Sequence, residues 1–335
     1  MYPEFFEIPV IHLTIKSFGL MMVIGFLSAV WLIRYLSRNI TPDPKLITNA
    51  ALYSLIAGVL GARLFYVVHY FQQFRSDLLS IFAIWQGGLE LLGGVVLAIT
   101  VIVIYLWYHK LPVRRYLDIL AIGLMLALVF GRIGCFLNGC CFGRPTDLPW
   151  AVTFPYNSFA FKSQINPDYQ RNRPQPLMEL PDDFFGYVKK GDLWYSQLKP
   201  YDQLTDKQKE MVDKGPYRCP GVHPTQLYSS LAAVVVCLIL YLFWRGDINR
   251  LIPLAKRREL AKPGCTFALM FVLYGFVRFF MEFLRDDNPL SRLTGLTISQ
   301  HLSIALVALG VALMILFTKM KPDRIKTQQS FADLI

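Results

Sequence analysis

The chain has 335 residues, of which 54% are hydrophobic and only 17% are charged. Soluble domains carry about 25% charged residues, so this composition excludes an ordinary soluble enzyme and indicates a membrane protein. The apolar residues form runs of about 20, which excludes disordered, collagen-like and small disulfide-rich chains, and they lack the alternation of outer-membrane barrel strands. The sequence therefore predicts an all-α polytopic membrane protein.

Seven apolar runs are each long enough to cross about 30 Å of hydrocarbon as a helix. The stretch before the first run carries two Glu and one Lys. It lacks the basic residues that begin a secretory signal, so we expect the first run to remain as a span. The predicted spans are residues 17–36, 46–70, 88–108, 117–136, 226–244, 264–285 and 300–317.

Basic residues predict the orientation of these spans, because cytoplasmic loops of membrane proteins carry an excess of Lys and Arg. One set of alternate short connections holds Arg34, Arg38, Lys45, Lys110, Arg114, Arg115, Arg245, Arg250, Lys256, Arg257, Arg258, Lys262, Lys319, Lys321, Arg324 and Lys326. The other set holds Lys16, Arg75 and Arg292. We therefore expect the N-terminus outside and the C-terminus in the cytoplasm. Insertion and anionic lipid explain the net charge of +11, and no nucleic-acid partner is expected.

A long polar segment between the fourth and fifth spans holds ten of the twenty prolines. It is too long for a plain connection, so we expect an external irregular subdomain or lid, with one short helix near Thr205 to Asp213. The predicted organisation is spans one to four in 1–142, this subdomain in 143–222, spans five to seven in 223–317, and a cytoplasmic tail in 318–335.

Four arginines interrupt the apolar runs, namely Arg63, Arg132, Arg278 and Arg285. An arginine within a membrane usually faces a protein interior or a watery cavity, which makes all four functional candidates. Two structural alternatives remain open. One is snorkelling at a span end, which competes strongly for Arg285; the other is a buried pair that only holds helices together, which is as good an interpretation as function for Arg63.

The sixth run predicts a helix face that carries several polar groups. Spacings of four, four and three residues place on this face Tyr274, Arg278, Glu282 and Arg285. Glu282 can pair with one arginine but cannot neutralise both of them plus Arg132. A cavity lined by these groups keeps surplus positive charge, and a lipid phosphate is the natural ligand because the guanidinium fork matches phosphate bidentately.

Position along the spans predicts that these groups meet in the outer half of the membrane. Arg63, Arg132 and Arg278 each lie past the middle of a run that leads from inside to outside. His223 and the glycine pairs Gly87–Gly88 and Gly93–Gly94 belong to the same side. Glycine pairs let backbone N–H groups approach an anion, although in membrane helices small residues more often serve close packing.

The fourth run ends in the sequence GRIGCFLNGCCFGR, residues 131–144. This run resembles the signature of bacterial prolipoprotein diacylglyceryl transferases. The sequence HPTQLY at 223–228, and Tyr274-Gly275 with Arg278, Glu282 and Arg285, are similar to two further family motifs in the same order. Arg63 in GARL matches another family arginine. The resemblance covers all seven predicted spans, whereas segment 143–222 is longer than the family leads us to expect.

The resemblance implies a multi-pass enzyme of the bacterial inner (plasma) membrane that acts in lipoprotein biosynthesis. Its implied reaction is the first step of lipoprotein maturation, in which the diacylglyceryl group of phosphatidylglycerol moves to the lipobox cysteine thiol of exported prolipoproteins and glycerol phosphate leaves. Arginines would stabilise the departing phosphate while a base helps to form the thiolate. The expected partners are phosphatidylglycerol, prolipoprotein signal peptides and membrane lipids, and no metal or cofactor is expected.

The motifs and the charge argument together give the candidate site residues. The candidate catalytic residues are Arg132, Arg278, Glu282 and His223. The candidate substrate-binding residues are Arg63, Gly93, Gly94, Asn138, Gly143, Tyr274 and Arg285.

Several positions depart from the family pattern. Leu92 replaces the His that is most often proposed as the base, and Phe18 stands where a Tyr is usual. Cys135 and Cys140 occupy positions expected to hold Asn and Glu. The alternative to the enzyme is therefore a non-catalytic or differently specialised relative that binds anionic phospholipid in the same pocket.

The missing His leaves the base open among four residues. His223 and Glu282 remain as candidates, and His69 and Glu90 are weaker ones on the outer side. A His in a proline-containing cap is more often a structural hydrogen-bonding group than a base, which counts against His223.

The six cysteines fall into two groups. Cys237 and Cys265 lie in spans and are expected to be small buried residues. The candidate disulfide residues are the external Cys135, Cys140, Cys141 and Cys219, and we expect at least one bond between the 135–141 turn and Cys219. The alternatives are unpaired packing residues or, ranked last, a zinc site of three cysteines and His223, because C-x₄-C-C lacks standard ligand spacing.

Overall fold

The computed structural model describes residues 4–8, 13–38, 45–75, 78–82, 88, 90–171, 173–190, 193–246, 262–286, 288–291 and 294–320. Within these residues the fold is helical apart from two antiparallel hairpins. One pairs β1 (Glu4–Ile8) with β2 (Leu13–Lys16), and the other pairs β3 (Phe185–Lys190) with β4 (Leu193–Leu198).

Six described helices are long and apolar enough to cross a membrane, which confirms a polytopic membrane protein. They are α1 (Ser17–Ser37), α2 (Lys45–His69), α5 (Val113–Asn138), α8 (Thr225–Arg245), α9 (Cys265–Met281, continued by a 3-10 turn, Glu282–Leu284) and α10 (Ile298–Lys319). Between α2 and α5 lie the short α3 (Phe71–Phe74), a 3-10 turn (Leu78–Phe82) and α4 (Leu91–Tyr108). With 18 residues, α4 is shorter than these six helices, which have 20 to 26 residues.

Local sequence explains the tight connection between α4 and α5. Beyond Tyr108 the backbone of Lys110 takes the left-handed conformation with φ 52°, and Leu111 N–H donates to Leu106 O, a helix C-terminal closure. Pro112 follows and precedes the first residue of α5, where its fixed φ suits a helix start and its missing N–H costs nothing.

The chain forms two compact units. The first comprises Met1–Leu27, Leu124–Leu240 and Ala268–Ala312, and the second comprises Ser28–Gly123, Tyr241–Phe267 and Leu313–Ile335. In the second unit, α2 and α4 pack backbone to backbone through glycines. A Cβ added at Gly93 would lie 2.5 Å from Gly61 O, and one at Gly94 would lie 2.7 Å from Gly58 O, so larger residues would force these helices apart.

The second unit also contains a buried carboxylate that caps a helix. Asp118 of α5 accepts hydrogen bonds from Gly264 N–H at 2.7 Å and Phe267 N–H at 2.9 Å, at the start of α9. The first N–H groups of a helix have no intrahelical partner and carry partial positive charge, so this carboxylate satisfies and stabilises that end.

In the first unit, the polar segment 143–222 folds around a core of its own. It contains β3, β4, α6 (Phe159–Ile165) and α7 (Asp206–Asp213). Its buried side chains include Phe154, Phe161 and Phe184. Thr205 and Gln208 form a reciprocal capping box at the start of α7, which confirms the short helix predicted near Thr205 to Asp213.

Candidate active site

Backbone hydrogen bonds bring three sequence motifs together in the first unit. The segment after α5 pairs with the segment after α9: Arg144 N–H donates to Leu284 O at 2.8 Å, and Asp286 N–H donates to Phe142 O at 3.3 Å. On its other side, Gly143 N–H donates to His223 O at 3.1 Å and His223 N–H donates to Arg144 O at 3.0 Å. The ends of α5 and α9 and the start of α8 thus share one small backbone network.

Gly143 is the point of closest approach in this network. A Cβ at this position would lie 2.5 Å from His223 O and 2.6 Å from His223 Cβ, distances that a real side chain does not adopt. The glycine that we assigned to substrate binding therefore lets the three motif segments meet.

The ends of α5, α8 and α9 line a cavity with mostly apolar walls. Arg132 of α5, Ser229 of α8, and Tyr274 and Arg278 of α9 supply its polar groups. The walls are formed by Met125, Leu128, Ala232, Ala233, Val236, Val277 and Met281. The cavity is small, with a volume of about 20 Å³, and combines apolar walls with a few convergent polar groups.

An ion-pair network extends from Arg278. Glu282 Oε2 lies 2.7 Å from Arg278 Nη1 and 3.8 Å from Arg285 Nε, and its other oxygen accepts from Asn288 Nδ2 at 2.6 Å. Arg278 Nη2 also donates to Ser299 Oγ at 2.8 Å. Glu282 is buried, and these partners lie around both of its carboxylate oxygens. The spacing that predicted one helical face is confirmed for Arg278, Glu282 and Arg285.

Arg132 differs from Arg278 in its surroundings. It lines the same cavity, yet it makes no hydrogen bond or ion pair with any residue that the structure describes. Glu282 thus lies near two guanidinium groups, those of Arg278 and Arg285, while Arg132 adds a further positive charge to the cavity wall. A desolvated positive surplus of this kind favours an anionic ligand.

His223 is held by its backbone, and its ring faces a tyrosine. Nδ1 lies 3.4 Å from Tyr228 Oη, which in turn accepts a hydrogen bond from Trp150 Nε1 at 2.7 Å. This arrangement agrees with the structural interpretation of a His in a proline-containing cap.

Arg63 belongs to the second unit, where its guanidinium group is hydrogen-bonded to backbone carbonyls. It donates to Ser80 O at 2.6 Å, Ile81 O at 2.8 Å and Gly88 O at 3.0 Å. Its charge also lies over the rings of Tyr66 and Phe74. These contacts favour a structural role for Arg63. The close packing of Gly93 and Gly94 against α2 likewise favours a structural role for these two glycines.

Comparison with known proteins identifies the family. A family model described as prolipoprotein diacylglyceryl transferase matches residues 3–316. The chain belongs to this family. A relative from Synechococcus elongatus, named phosphatidylglycerol-prolipoprotein diacylglyceryl transferase, is 26% identical over 299 residues, 89% of this chain and 82% of that protein. Relatives with the same name are 28% identical in Rhodospirillum rubrum, over 92% of this chain and 90% of that protein, and 29% identical in Burkholderia lata, over 90% of each.

Membership in the prolipoprotein diacylglyceryl transferase family confirms the resemblance that rested on four short motifs. It also confirms a transferase family of lipoprotein biosynthesis. Leu92, where the family His was expected, lies in the first turn of α4. The weaker candidate bases, His69 and Glu90, belong to the second unit, where His69 Nδ1 lies 3.4 Å from Glu90 Oε2.

The structure contains no disulfide bond, since all six cysteines are free. The bond expected between the 135–141 turn and Cys219 stays a prediction. Cys219 is buried in the core of segment 143–222, where its Sγ donates to Gln164 Oε1 at 3.0 Å. The bond was predicted because all four cysteines were expected on the external side, next to the two motifs at 131–144 and 223–228. In the structure the Cys219 sulfur lies in the core of segment 143–222.

Sequence reasoning missed several polar groups that hold the site. Thr225 Oγ1 donates to Cys141 O and Gln226 Nε2 donates to Cys140 O, each at 2.8 Å. Both belong to the HPTQLY motif, so the signal was present, but their hydrogen-bond partners depend on the fold. Asn288 and Ser299 carry no motif, and nothing in the sequence identified them. Asn138 lines a separate cavity with Tyr156, Ser158 and Lys162.

Proposed function

We propose that this protein transfers the diacylglyceryl group of phosphatidylglycerol to the lipobox cysteine thiol of exported prolipoproteins. Family membership over residues 3–316 and the shared name of the three relatives support this activity. Phosphatidylglycerol and a prolipoprotein signal peptide are the corresponding substrates.

The observation that carries the proposal is the state of Arg132. An arginine in a membrane helix that lines a cavity, without an ion-pair partner among the described residues, needs an anion to offset its cost. The phosphodiester of phosphatidylglycerol supplies that charge, and its acyl chains suit the apolar walls. Arg278 is the second phosphate ligand, oriented by Glu282 and Ser299.

The reaction exchanges one bond to a glycerol carbon for another. The thiolate of the acceptor cysteine attacks the carbon that bears the phosphate, a C–S bond forms, and the C–O bond to phosphate breaks. Negative charge grows on the departing glycerol phosphate, where Arg132 and Arg278 stabilise it more than they stabilise the substrate. Glu282 acts as a positioning residue in this scheme, since its carboxylate is engaged by Arg278, Arg285 and Asn288.

The proposed topology has seven spans in the bacterial inner membrane. The shorter helix α4 is the additional span, which places the N-terminus outside, segment 143–222 outside, and tail 318–335 in the cytoplasm. Support comes from the excess of basic residues in alternate connections. Of those connections, residues 39–44, 247–261 and 292–293, and residues 321–335 of the tail, lie outside the described part of the chain.

A second candidate function is phospholipid binding without transfer. Leu92 in α4, and Cys135 and Cys140 at the end of α5, stand where the family pattern leads us to expect His, Asn and Glu. A relative without these groups would retain the arginine cavity and bind anionic lipid there.

Complementation of a bacterial strain depleted of its own transferase distinguishes the two functions, because growth requires the complete reaction. We expect the wild-type chain to restore growth and Arg132→Ala to fail at equal expression. Arg34→Ala, at the exposed end of α1, is the matched control and should restore growth. Failure of the wild-type chain, with normal membrane insertion, would favour lipid binding alone.

A further inference from the structure

Three cysteine side chains meet at the end of α5. The sulfur atoms of Cys135, Cys140 and Cys141 all lie within 4.8 Å of one another, and all three residues are half-buried. Cys135 is in the last turn of α5, and Cys140 N–H donates to Cys135 O at 3.1 Å, which folds the turn back on the helix.

The backbone of this turn is fixed in an uncommon conformation. Gly139 has φ 73° and Cys141 has φ 60°, and a left-handed conformation is rare for a residue with a Cβ. The buried side chains of Thr225 and Gln226 hold the carbonyls of Cys141 and Cys140 from α8. Strained backbone that is held from outside is typical of a ligand site, because the strain persists only where surrounding contacts impose it.

The sulfur positions suit a single thiophilic cation. Zinc binds thiolates at about 2.3 Å, which places the sulfurs about 3.8 Å apart at the tetrahedral angle. A group within 4.8 Å reaches this geometry by small side-chain rotations. Within the described residues no fourth His, Cys, Asp or Glu joins the group, and three protein ligands with an open position are typical of catalytic zinc.

A positive charge lies beside the cluster, because the Arg285 guanidinium interacts with Cys141, and a cation next to sulfur favours thiolate ligands. Three thiolates and one zinc ion carry a net charge of −1, which the buried Arg285 offsets. Arg285 also approaches Glu282 of the Arg278 ion pair, and Cys135 follows Arg132 by three residues on α5, so the cluster adjoins the arginine cavity.

We propose that Cys135, Cys140 and Cys141 bind one zinc ion whose open fourth position takes the acceptor thiol as a thiolate. The second part rests on the proposed transferase function. The acceptor S–H gives its proton to solvent as the Zn–S bond forms, and the bound thiolate then attacks the glycerol carbon as the C–O bond breaks. The thioether product is a weaker ligand and leaves. Zinc in this role supplies the thiolate that the family His would otherwise help to form.

Metal content of the full chain tests the site without reference to activity. Protein purified in detergent under reducing conditions should retain one zinc per chain by elemental mass spectrometry. Cys140→Ser and Cys141→Ser should lose it, while Cys237→Ser, a half-buried cysteine of α8, should retain it. Cobalt added after chelation should give sulfur-to-cobalt charge-transfer absorption in wild type and Cys237→Ser only. Equal zinc in all variants, or no metal and no such absorption in wild type, would overturn the site.

Transfer assays on the same preparations test the role of the open position. Chelated protein should lose at least tenfold in rate and regain it with zinc. If the protein binds zinc but transfers equally fast with and without it, zinc does not bind the acceptor thiolate during the reaction, although the metal site itself stands. If the Cys140→Ser and Cys141→Ser variants still transfer diacylglyceryl, and this transfer is lost with Arg132→Ala, the zinc proposal is overturned and the proposed function stands. Zinc binding without any transfer would overturn the proposed function instead.

Discussion

Arg63 and Arg132 both interrupt membrane helices, yet their surroundings differ. The guanidinium group of Arg63 donates hydrogen bonds to three backbone carbonyls. Arg132 lines a cavity and makes no hydrogen bond or ion pair with the described residues. Residue type and span position were the same in the sequence. Only the fold, which brings Ser80, Ile81 and Gly88 to Arg63, distinguishes this arginine from Arg132, the one that we propose binds a ligand.

This difference predicts opposite effects of two alanine substitutions on stability. Arg63→Ala should lower the unfolding temperature in detergent, since each carbonyl left without a donor costs about 1–3 kcal/mol. Arg132→Ala should leave it unchanged or raise it, because an unpaired charge near Arg278 is removed. Scanning fluorimetry of both variants checks this. A larger loss of stability in Arg132→Ala than in Arg63→Ala would contradict the assignment.

Thiol chemistry gives a second prediction at the residue scale. Burial raises the pKa of the Cys219 thiol to about 11, so it stays protonated at neutral pH, whereas the lowered pKa of Cys141 makes it a thiolate there. In metal-free protein at pH 7, iodoacetamide should label Cys141 within the time that Cys219 stays unmodified. Peptide mapping measures both, and unfolded protein is the control in which Cys219 reacts. Equal labelling of the folded chain would refute the burial of Cys219.

At the scale of elements, the lengths of the apolar runs predicted the long helices to within a few residues. The run predicted at 117–136 corresponds to α5 (Val113–Asn138), and that at 226–244 to α8 (Thr225–Arg245). The third run starts later than predicted, at Leu91. Helix ends were less predictable because long-range contacts help to set them, as Asp118 does for α9 from 146 residues away.

The Asp118 cap leads to a prediction about α9. Asp118→Ala removes the acceptor of two N–H groups at a helix start and should destabilise the protein by about 0.5–2 kcal/mol. Asp118→Asn keeps one side-chain oxygen and should recover part of this. Hydrogen exchange at Gly264 to Phe267 reports the loss directly. Unchanged exchange there in Asp118→Ala would show that the cap does not hold this end.

The cysteine turn shows where motif reasoning stops. The sequence placed Cys135, Cys140 and Cys141 within seven residues, but the distance between sulfurs depends on the left-handed backbone at Cys141 and on Thr225 and Gln226. Spacing therefore ranked zinc last, while the shared side of the membrane favoured a bond to Cys219. The three sulfurs within 4.8 Å of one another support the proposed zinc site, and the hydrogen bond from Cys219 Sγ to Gln164 gives that cysteine another partner.

For the whole molecule, topology rests on whether α4 crosses the membrane. Reporter fusions after Gln73 and Lys190 should indicate the exterior, and fusions after Leu111 and Arg250 the cytoplasm. Gln73 and Leu111 flank α4, so opposite signals at these two positions establish the crossing. A cytoplasmic signal at Lys190 would overturn the orientation and the outward-facing site.

The family and the motif order could be predicted from the sequence because the motifs are short, contiguous and chemically unusual for membrane helices. The convergence of α5, α8 and α9 on Gly143 could not be predicted, because it depends on backbone hydrogen bonds between distant residues. Arg144 pairs with His223, 79 residues away, and with Leu284, 140 residues away. The predicted meeting of Arg63 with Arg132 and Arg278 remains a prediction, because these residues belong to different compact units.

The central claim is that a cavity centred on Arg132 supports diacylglyceryl transfer although Leu92 replaces the expected His. Its most direct test is mass spectrometry of a lipobox peptide incubated with purified protein and phosphatidylglycerol, from neutral to mildly alkaline pH. We expect a diacylglyceryl thioether with wild type, none with Arg132→Ala, and little with Arg132→Lys, because an ammonium cannot present the guanidinium fork. Wild-type product no greater than the Arg132→Ala background at every pH would contradict the claim.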